Sequence, residues 1–282
     1  MRLLFFFVFL LGLFSCGEDK KASMNVNDKN SNGVSKNKNS QIVHIPDAKF
    51  KKCLIENKEI NTNRDNEIQR SEAESYTGDD LDYEGINVFN KGIKDLTGIE
   101  AFISLRILNC GNNQLSALDL SKNKSLVKLS CEDNQLKSLD ISKNTALTYL
   151  KCLDNQLSSL DVSKNINLTV LRCGMNNLKS LDVSNNTSLN ALRCGINQLN
   201  ALDIYNNTSL TKLDCSFNQL SSLDVSKNTA LTWLVCFDNQ LNSLDVSKNT
   251  SLTELRCGQN PLNCVTGVPN ACKRFNGAEK CD

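Results

Sequence analysis

From Leu105 onward, apolar positions recur with a period of 21 residues. Leu105, Leu126, Leu147, Leu168, Leu189, Leu210, Leu231 and Leu252 open successive units, seven complete and one partial. Each unit reads LxxLxCxxNxLxxLD(V/I/L)SxNxx with few substitutions. Regular self-similarity at this length marks a solenoid, whose units stack because none buries enough apolar surface alone. Within LxCxx, apolar and outward-facing residues alternate, which predicts a short strand with Leu and Cys pointing inward. The second half, LxxLDVSxN, leaves no room for a helix of about three turns. Short extended or 3-10 segments are expected there, opposite a sheet of parallel strands. At about 4.8 Å per strand, eight units span roughly 38 Å.

Polar positions recur as strictly as apolar ones. Asn113, Asn134, Asn155, Asn176, Asn197, Asn218, Asn239 and Asn260 lie three residues after the cysteine of each unit. An Asn there can bond turn backbone that would otherwise be unpaired inside the coil. A second Asn, such as Asn144 or Asn228, ends the other half. Asp119, Asp140, Asp161, Asp182, Asp203, Asp224 and Asp245 form a further column. Backbone capping, with pairing to Lys122, Lys143, Lys164, Lys227 and Lys248 three positions on, is the expected use of these carboxylates. A cation-binding stripe is the competing one. Equivalent carboxylates in equivalent surroundings do not make a catalytic pair.

Cysteine is common, at 13 of 282 residues. Eight form one column: Cys110, Cys131, Cys152, Cys173, Cys194, Cys215, Cys236 and Cys257. With no CxxC pair and a single histidine, His44, the column reads as core thiols rather than a metal or redox site. All point the same way into the core, which suits disulfide geometry poorly. Cys264, Cys272 and Cys281 leave the period, in a segment expected to cap the open end. A disulfide would staple that cap, and three cysteines leave open which pair forms it. Cys53 is expected to be a buried thiol of the other cap.

Residues 44–104 do not keep the beat. IPDAKFKKCLIENKEI predicts a short helix with Pro46 in its first turn and Phe50, Cys53 and Leu54 on one face. Ile86, Val88, Ile93 and Leu96 repeat the Leu, Cys, Leu, Leu spacing as a degenerate entrance turn. Between them, NTNRDNEIQRSE resembles an EF-hand or dockerin-type calcium loop. Such loops supply oxygens from positions 1, 3, 5, 7, 9 and 12, here Asn61, Asn63, Asp65, Glu67, Gln69 and Glu72. The loop departs from that family at Asn61, where Asp is usual, and at Asn66, where Gly is usual; Asn66 can take the left-handed turn. The resemblance implies structural calcium, and the competing reading is a loop that holds the cap without metal.

The repeats resemble the leucine-rich repeat family, specifically the 21-residue class found in Bacteroidetes surface lipoproteins. The resemblance covers 105–263 and departs from many members in having Cys in place of a third Leu. The chain opens MRLLFFFVFLLGLFSC, a charged residue and a short apolar run too short for a stable span. The run resembles a signal peptide ending in the lipobox of bacterial lipoproteins, which implies acylation at Cys16 and anchoring to the outer membrane by lipid. Glu18 and Asp19 resemble the surface-export signal of Bacteroidetes lipoproteins. The polar stretch that follows reads as a disordered tether. The expected organisation is therefore a signal at 1–15, tether at 16–43, cap at 44–104, repeats at 105–263 and a second cap at 264–282.

With 32 basic and 31 acidic side chains, no charge excess points to nucleic acid. The informative positions are those that change between repeats. Before the second Leu stand Ile107, Lys128, Tyr149, Val170, Ala191, Lys212, Trp233 and Glu254. Before the Cys stand Asn109, Ser130, Lys151, Arg172, Arg193, Asp214, Val235 and Arg256. Met175, Ile196 and Phe217 precede the Asn, and Leu153 and Phe237 stand one position earlier. On a leucine-rich repeat these residues share the concave face. Trp233 is expected to cluster with Phe217, Val235 and Phe237, beside a mixed strip of Tyr149, Lys151, Arg172, Met175 and Arg193. Aromatic and Arg residues dominate binding hot spots. A non-enzymatic envelope lipoprotein binding a protein or glycan there, with adhesion implied by the resemblance, is the expected function. A structural spacer or assembly protein of the envelope is the alternative. No Ser/His/Asp set, phosphate loop or zinc motif suggests catalysis.

Overall fold

A computed structural model describes residues 41–78, 85–272, 274–276 and 279–280. The expected signal peptide, Cys16, Glu18, Asp19, nearly all of the tether and Cys281 lie outside the described residues.

Helix α1 (Ala48–Glu56) begins at Asp47, whose carboxylate accepts from the backbone N–H of Lys49 and Phe50. Pro46 therefore precedes the cap rather than filling the first turn, because an Asp side chain satisfies the free N–H groups directly. Phe50 and Leu54 are buried, while Cys53 is only partly so, contrary to expectation. The other Asp47 oxygen accepts from Lys94 N at 2.9 Å and Asp95 N at 3.3 Å, tying the helix to the first coil. Burial pushes the Asp47 carboxyl up, but these four N–H groups outweigh it and hold the group below its ordinary range. A second helix, α2 (Arg70–Ser75), starts inside the predicted calcium loop through reciprocal capping by Gln69 and Glu72.

The strands are β1 (Ile86–Asn87), β2 (Ile107–Asn109), β3 (Lys128–Ser130), β4 (Tyr149–Lys151), β5 (Val170–Arg172), β6 (Ala191–Arg193), β7 (Lys212–Asp214), β8 (Trp233–Val235), β9 (Glu254–Arg256), β10 (Cys264–Val265), β11 (Arg274–Asn276) and β12 (Glu279–Lys280). Strands β1 to β9 and then β11 form one parallel sheet in that order, and β10 pairs with β12. From β2 to β9 each residue pairs with the one 21 positions on, as in Leu108 with Leu129 and Leu129 with Leu150. Before the first full unit, Ile86 pairs with Leu108, and Val88, Ile93 and Leu96 are buried.

The leucine columns and the cysteine column close the interior to solvent. Opposite the sheet, short turns replace helices; Asn165 N donates to Val162 O and Leu168 N to Asn165 O, a 3-10 pattern. Every described cysteine except Cys264 is a free thiol, and Cys264 is disulfide-bonded. Burial pushes the column thiols up, Cys152 to about 12, which makes them inert hydrophobes.

Candidate functional site on the sheet face

The turn after each cysteine fixes where the outward residues stand. Asn176 Nδ2 donates to the carbonyls of Cys152, Cys173 and Gly174, at 3.0, 3.2 and 3.1 Å. Its Oδ1 accepts from Leu157 N at 3.0 Å. One side chain thus binds its own turn and the coil before it, and the same bonds recur along the rod. The strand residues flanking each central Leu then stand in columns one coil apart, more exposed than that Leu except at Val235 and Glu254, which are buried.

Most predicted site residues lie on that face, but not in the predicted grouping. Phe217 and Phe237 pack with ring centroids 5.5 Å apart. Trp233 stands apart from them: Arg193 lies over its ring at 5.4 Å, and its indole N–H bonds Glu254. The expected four-residue cluster is therefore split between the phenylalanine pair and a group of Arg193, Trp233 and Glu254. Val235 is buried rather than offered to a partner; its column neighbours Asp214 and Arg256 are in register on either side. Tyr149 lies under Arg172 at 5.8 Å. Met175, Ile196 and Phe217 are exposed in three consecutive coils.

Sequence reasoning missed the acidic partners. Lys151 Nζ is 2.7 Å from Glu132 Oε1, and Arg256 Nε is 2.7 Å from Glu254 Oε1. Burial pushes the Glu254 carboxyl up, yet the Trp233 indole N–H, Arg256 and Arg274 together hold it below its ordinary range. The signal was available in the columns: Glu132 and Glu254 are carboxylates among residues that are otherwise neutral or basic. Arg172 and Arg193 form no such pair with any described residue.

The aspartate column caps backbone, as expected. Asp161 Oδ1 accepts from Ser163 N at 2.8 Å, and each of its equivalents does the same two residues on. The expected bridges to Lys are absent among the described residues, since the short Asp side chain is spent on the turn.

In the cap loop, Asn61, Asn63, Asp65, Gln69 and Glu72 come together. Glu72 Oε1 accepts from Thr62 N, Thr62 Oγ1 and Asn63 N, and its Oε2 accepts from Gln69 N. Asp65 Oδ2 accepts from Asn63 Nδ2 at 3.0 Å and Gln69 Nε2 at 2.8 Å. Glu67 turns away to Lys51, 2.7 Å from its Nζ. The left-handed residue is Arg64, at φ 60°, and not Asn66. Asn63 and Asp65 each bond the N–H two residues on, and that pair of bonds places the turn earlier. Asn61 Oδ1 is buried without a partner. Among the described residues no group of three His, Cys, Asp or Glu side chains could hold a metal.

No protein-family model matches the chain, and no curated protein does. Solved structures match much of it. The functional domain of InlJ from Listeria monocytogenes, described as including a cysteine ladder, is 30% identical with a TM-score of 0.59. That match covers 76% of this chain and 55% of InlJ's. A leucine-rich-repeat protein of Leptospira interrogans is 25% identical with a TM-score of 0.58, over 61% of this chain and 47% of its own. The fold is a leucine-rich-repeat solenoid. Internalin C2 of Listeria monocytogenes shares that fold at 20% identity and a TM-score of 0.60, over 82% of this chain and 92% of its own. The chain thus spans about half the length of the first two of these leucine-rich-repeat structures, and the cysteine column has a namesake in InlJ.

Proposed function

We propose that this protein is a non-enzymatic, lipid-anchored protein of the bacterial envelope whose sheet face binds a protein partner. One observation carries the reading. The framework columns hardly change from coil to coil, while the outward columns gather exposed Met175, Ile196 and Phe217 beside the unpaired Arg172 and Arg193. Apolar and Arg side chains concentrated in this way are the composition of a binding hot spot. Adhesion, surface exposure and acylation at Cys16 extend the same reading.

Protease treatment of intact cells tests the placement. Loss of the solenoid, with a periplasmic control intact, supports surface display. Digestion only after lysis removes the surface-adhesin reading and leaves an envelope scaffold. Loss of partner capture by Trp233→Ala and Arg172→Glu tests the face itself. A spacer would be indifferent to both changes.

The cap loop carries a second reading, structural calcium at Asn61, Asn63, Asp65, Gln69 and Glu72. The buried, unpartnered Asn61 Oδ1 supports it. A melting temperature that rises in calcium relative to chelator is the expected result. An unchanged one leaves the loop as a metal-free staple.

A further inference from the structure

The residue just before each ladder Asn is left-handed, with φ between 52° and 57° in Asn112, Asp133, Asp154, Met175, Ile196, Phe217, Asp238 and Gln259. Asn and Asp tolerate that region, whereas a β-branched or bulky side chain there is a true outlier. The three apolar exceptions are consecutive, and they gain little burial for the strain. Met175, Ile196 and Phe217 remain 42%, 49% and 46% exposed. Strain kept at an exposed position where a relaxed, more soluble residue serves the neighbouring coils points to use.

Beside this apolar row runs a trough. The next column is Gly174, Gly195 and Ser216, with Leu153 and Phe237 at the same position in the coils before and after. A cavity of about 220 Å³ lies over it. At Gly174 a Cβ would stand 2.8 Å from the Gly195 carbonyl oxygen, so the floor is bare backbone.

The far wall carries two arginines, Arg172 and Arg193, and one carboxylate, Asp214. Arg172 and Arg193 are paired in register on adjacent strands, where like charges repel. They lean apart, one toward Tyr149 at 5.8 Å and the other toward Trp233 at 5.4 Å. Elsewhere in the same column Lys151 and Arg256 are neutralised by Glu132 and Glu254, each at 2.7 Å. Asp214, next to Arg193, instead accepts from Ser216 N and Oγ at 3.1 and 2.6 Å. No described carboxylate forms an ion pair with either arginine, and Arg172 Nε is buried with no hydrogen-bond partner.

We infer that this trough binds an acidic peptide segment, with a carboxylate between Arg172 and Arg193 and apolar side chains against Met175, Ile196 and Phe217. The inference rests on the sheet-face reading above and adds the chemistry of the partner. Two arginines without a carboxylate ion-pair partner favour an anionic acceptor, and their paired N–H groups bind carboxylate as they bind phosphate. The opposite wall calls for apolar side chains, which a protein segment brings and a sugar chain does not. Trp233, the one tryptophan, already has Arg193 over its ring.

A random-peptide display library panned against the full chain tests this. Selected peptides should carry Asp or Glu flanked by apolar residues. A fluorescein-labelled selected peptide should bind the Arg172→Glu/Arg193→Glu protein at least about tenfold more weakly. The Arg172→Gln/Arg193→Gln protein, which loses charge without gaining repulsion, should show the same direction if the first variant folds poorly. Ile196→Asn should weaken binding while raising the melting temperature by about 2–4 °C, as relief of backbone strain requires. A merely structural Ile196 would lower the melting temperature on substitution. Selected peptides without acidic bias, or unchanged binding by both double variants, would overturn the inference while leaving a sheet-face binding site standing if Trp233→Ala still abolishes capture. Selection no better than on a control protein would overturn both. Capture of sulfated glycans in preference to peptides would overturn the partner class.

Discussion

Two ladders of asparagine run the length of the rod, and they are not equivalent. The first, at Asn113 and its successors, uses both ends of its amides. Asn134, for instance, donates to the Cys110, Cys131 and Glu132 carbonyls and accepts from Leu115 N. The second runs through Asn123, Asn144, Asn165, Asn186, Asn207, Asn228 and Asn249, all fully buried. Asn186 donates to Val162 O at 3.0 Å and Asn165 O at 2.8 Å, but the Oδ1 of every member has no protein partner. The first ladder sits beneath the strands and defines the turn from which the binding columns project. The second lies at the opposite turn, whose outer side is capped by aspartate. Precision of backbone placement is therefore concentrated on the side that carries the variable residues.

The sharpest test of this difference is substitution in each ladder. Asn176→Ala removes four hydrogen bonds and strands buried backbone, so a loss of about 3–4 kcal/mol is expected in denaturant unfolding. Asn186→Ala removes two and also removes an oxygen that has no partner; about 1–2 kcal/mol is expected. Equal losses would erase the distinction. Acid should act on the second side. Asp119, Asp140, Asp161, Asp224 and Asp245 are held below the ordinary carboxylate range chiefly by the backbone N–H of the Ser two residues on, and Asp182 chiefly by the Ser184 hydroxyl. Their folded values lie below the unfolded ones. The stabilisation is therefore complete above an ordinary pKa of about 3.9 and disappears as pH falls through the lowered values. The melting temperature should hold from neutrality to about pH 5 and then fall. Replacing these aspartates by Asn, which can cap without titrating, should flatten that fall. The smallest effect concerns the thiols above the first ladder. Native protein should resist iodoacetamide along the column, since burial raises these thiols well above their ordinary range, Cys152 to about 12. Rapid labelling of Cys152 would mean that the coils open more readily than their bonding implies.

The columns themselves were legible in the sequence, because a 21-residue period assigns every residue a place in the coil. Leucine, cysteine and the first asparagine ladder could be placed from that alone. Which way a side chain leans within its column was not legible. Trp233 meets Arg193, two coils away, and Lys151 meets Glu132 of the coil before; such pairings depend on lateral geometry, not on period. The left-handed column was within reach. Asn112, Asp133, Asp154 and Asp238 are the residue types that such a conformation selects, and against them Met175, Ile196 and Phe217 stand out as exceptions. In the cap, where nothing repeats, pattern alone misplaced the left-handed residue and overlooked α2, since local side-chain bonds decided both.

The unslipped register has a consequence for how such a gene can change. Duplicating or deleting a whole unit keeps every column aligned, whereas an insertion of one residue in a strand turns its alternating side chains to the opposite face. Near-identical repeats also invite unequal crossing-over. The chain can thus lengthen or shorten in steps of one strand spacing, about 4.8 Å, without retuning its interior. The distance between the trough and the amino-terminal cap then becomes a heritable, stepwise quantity, open to selection separately from what the trough binds.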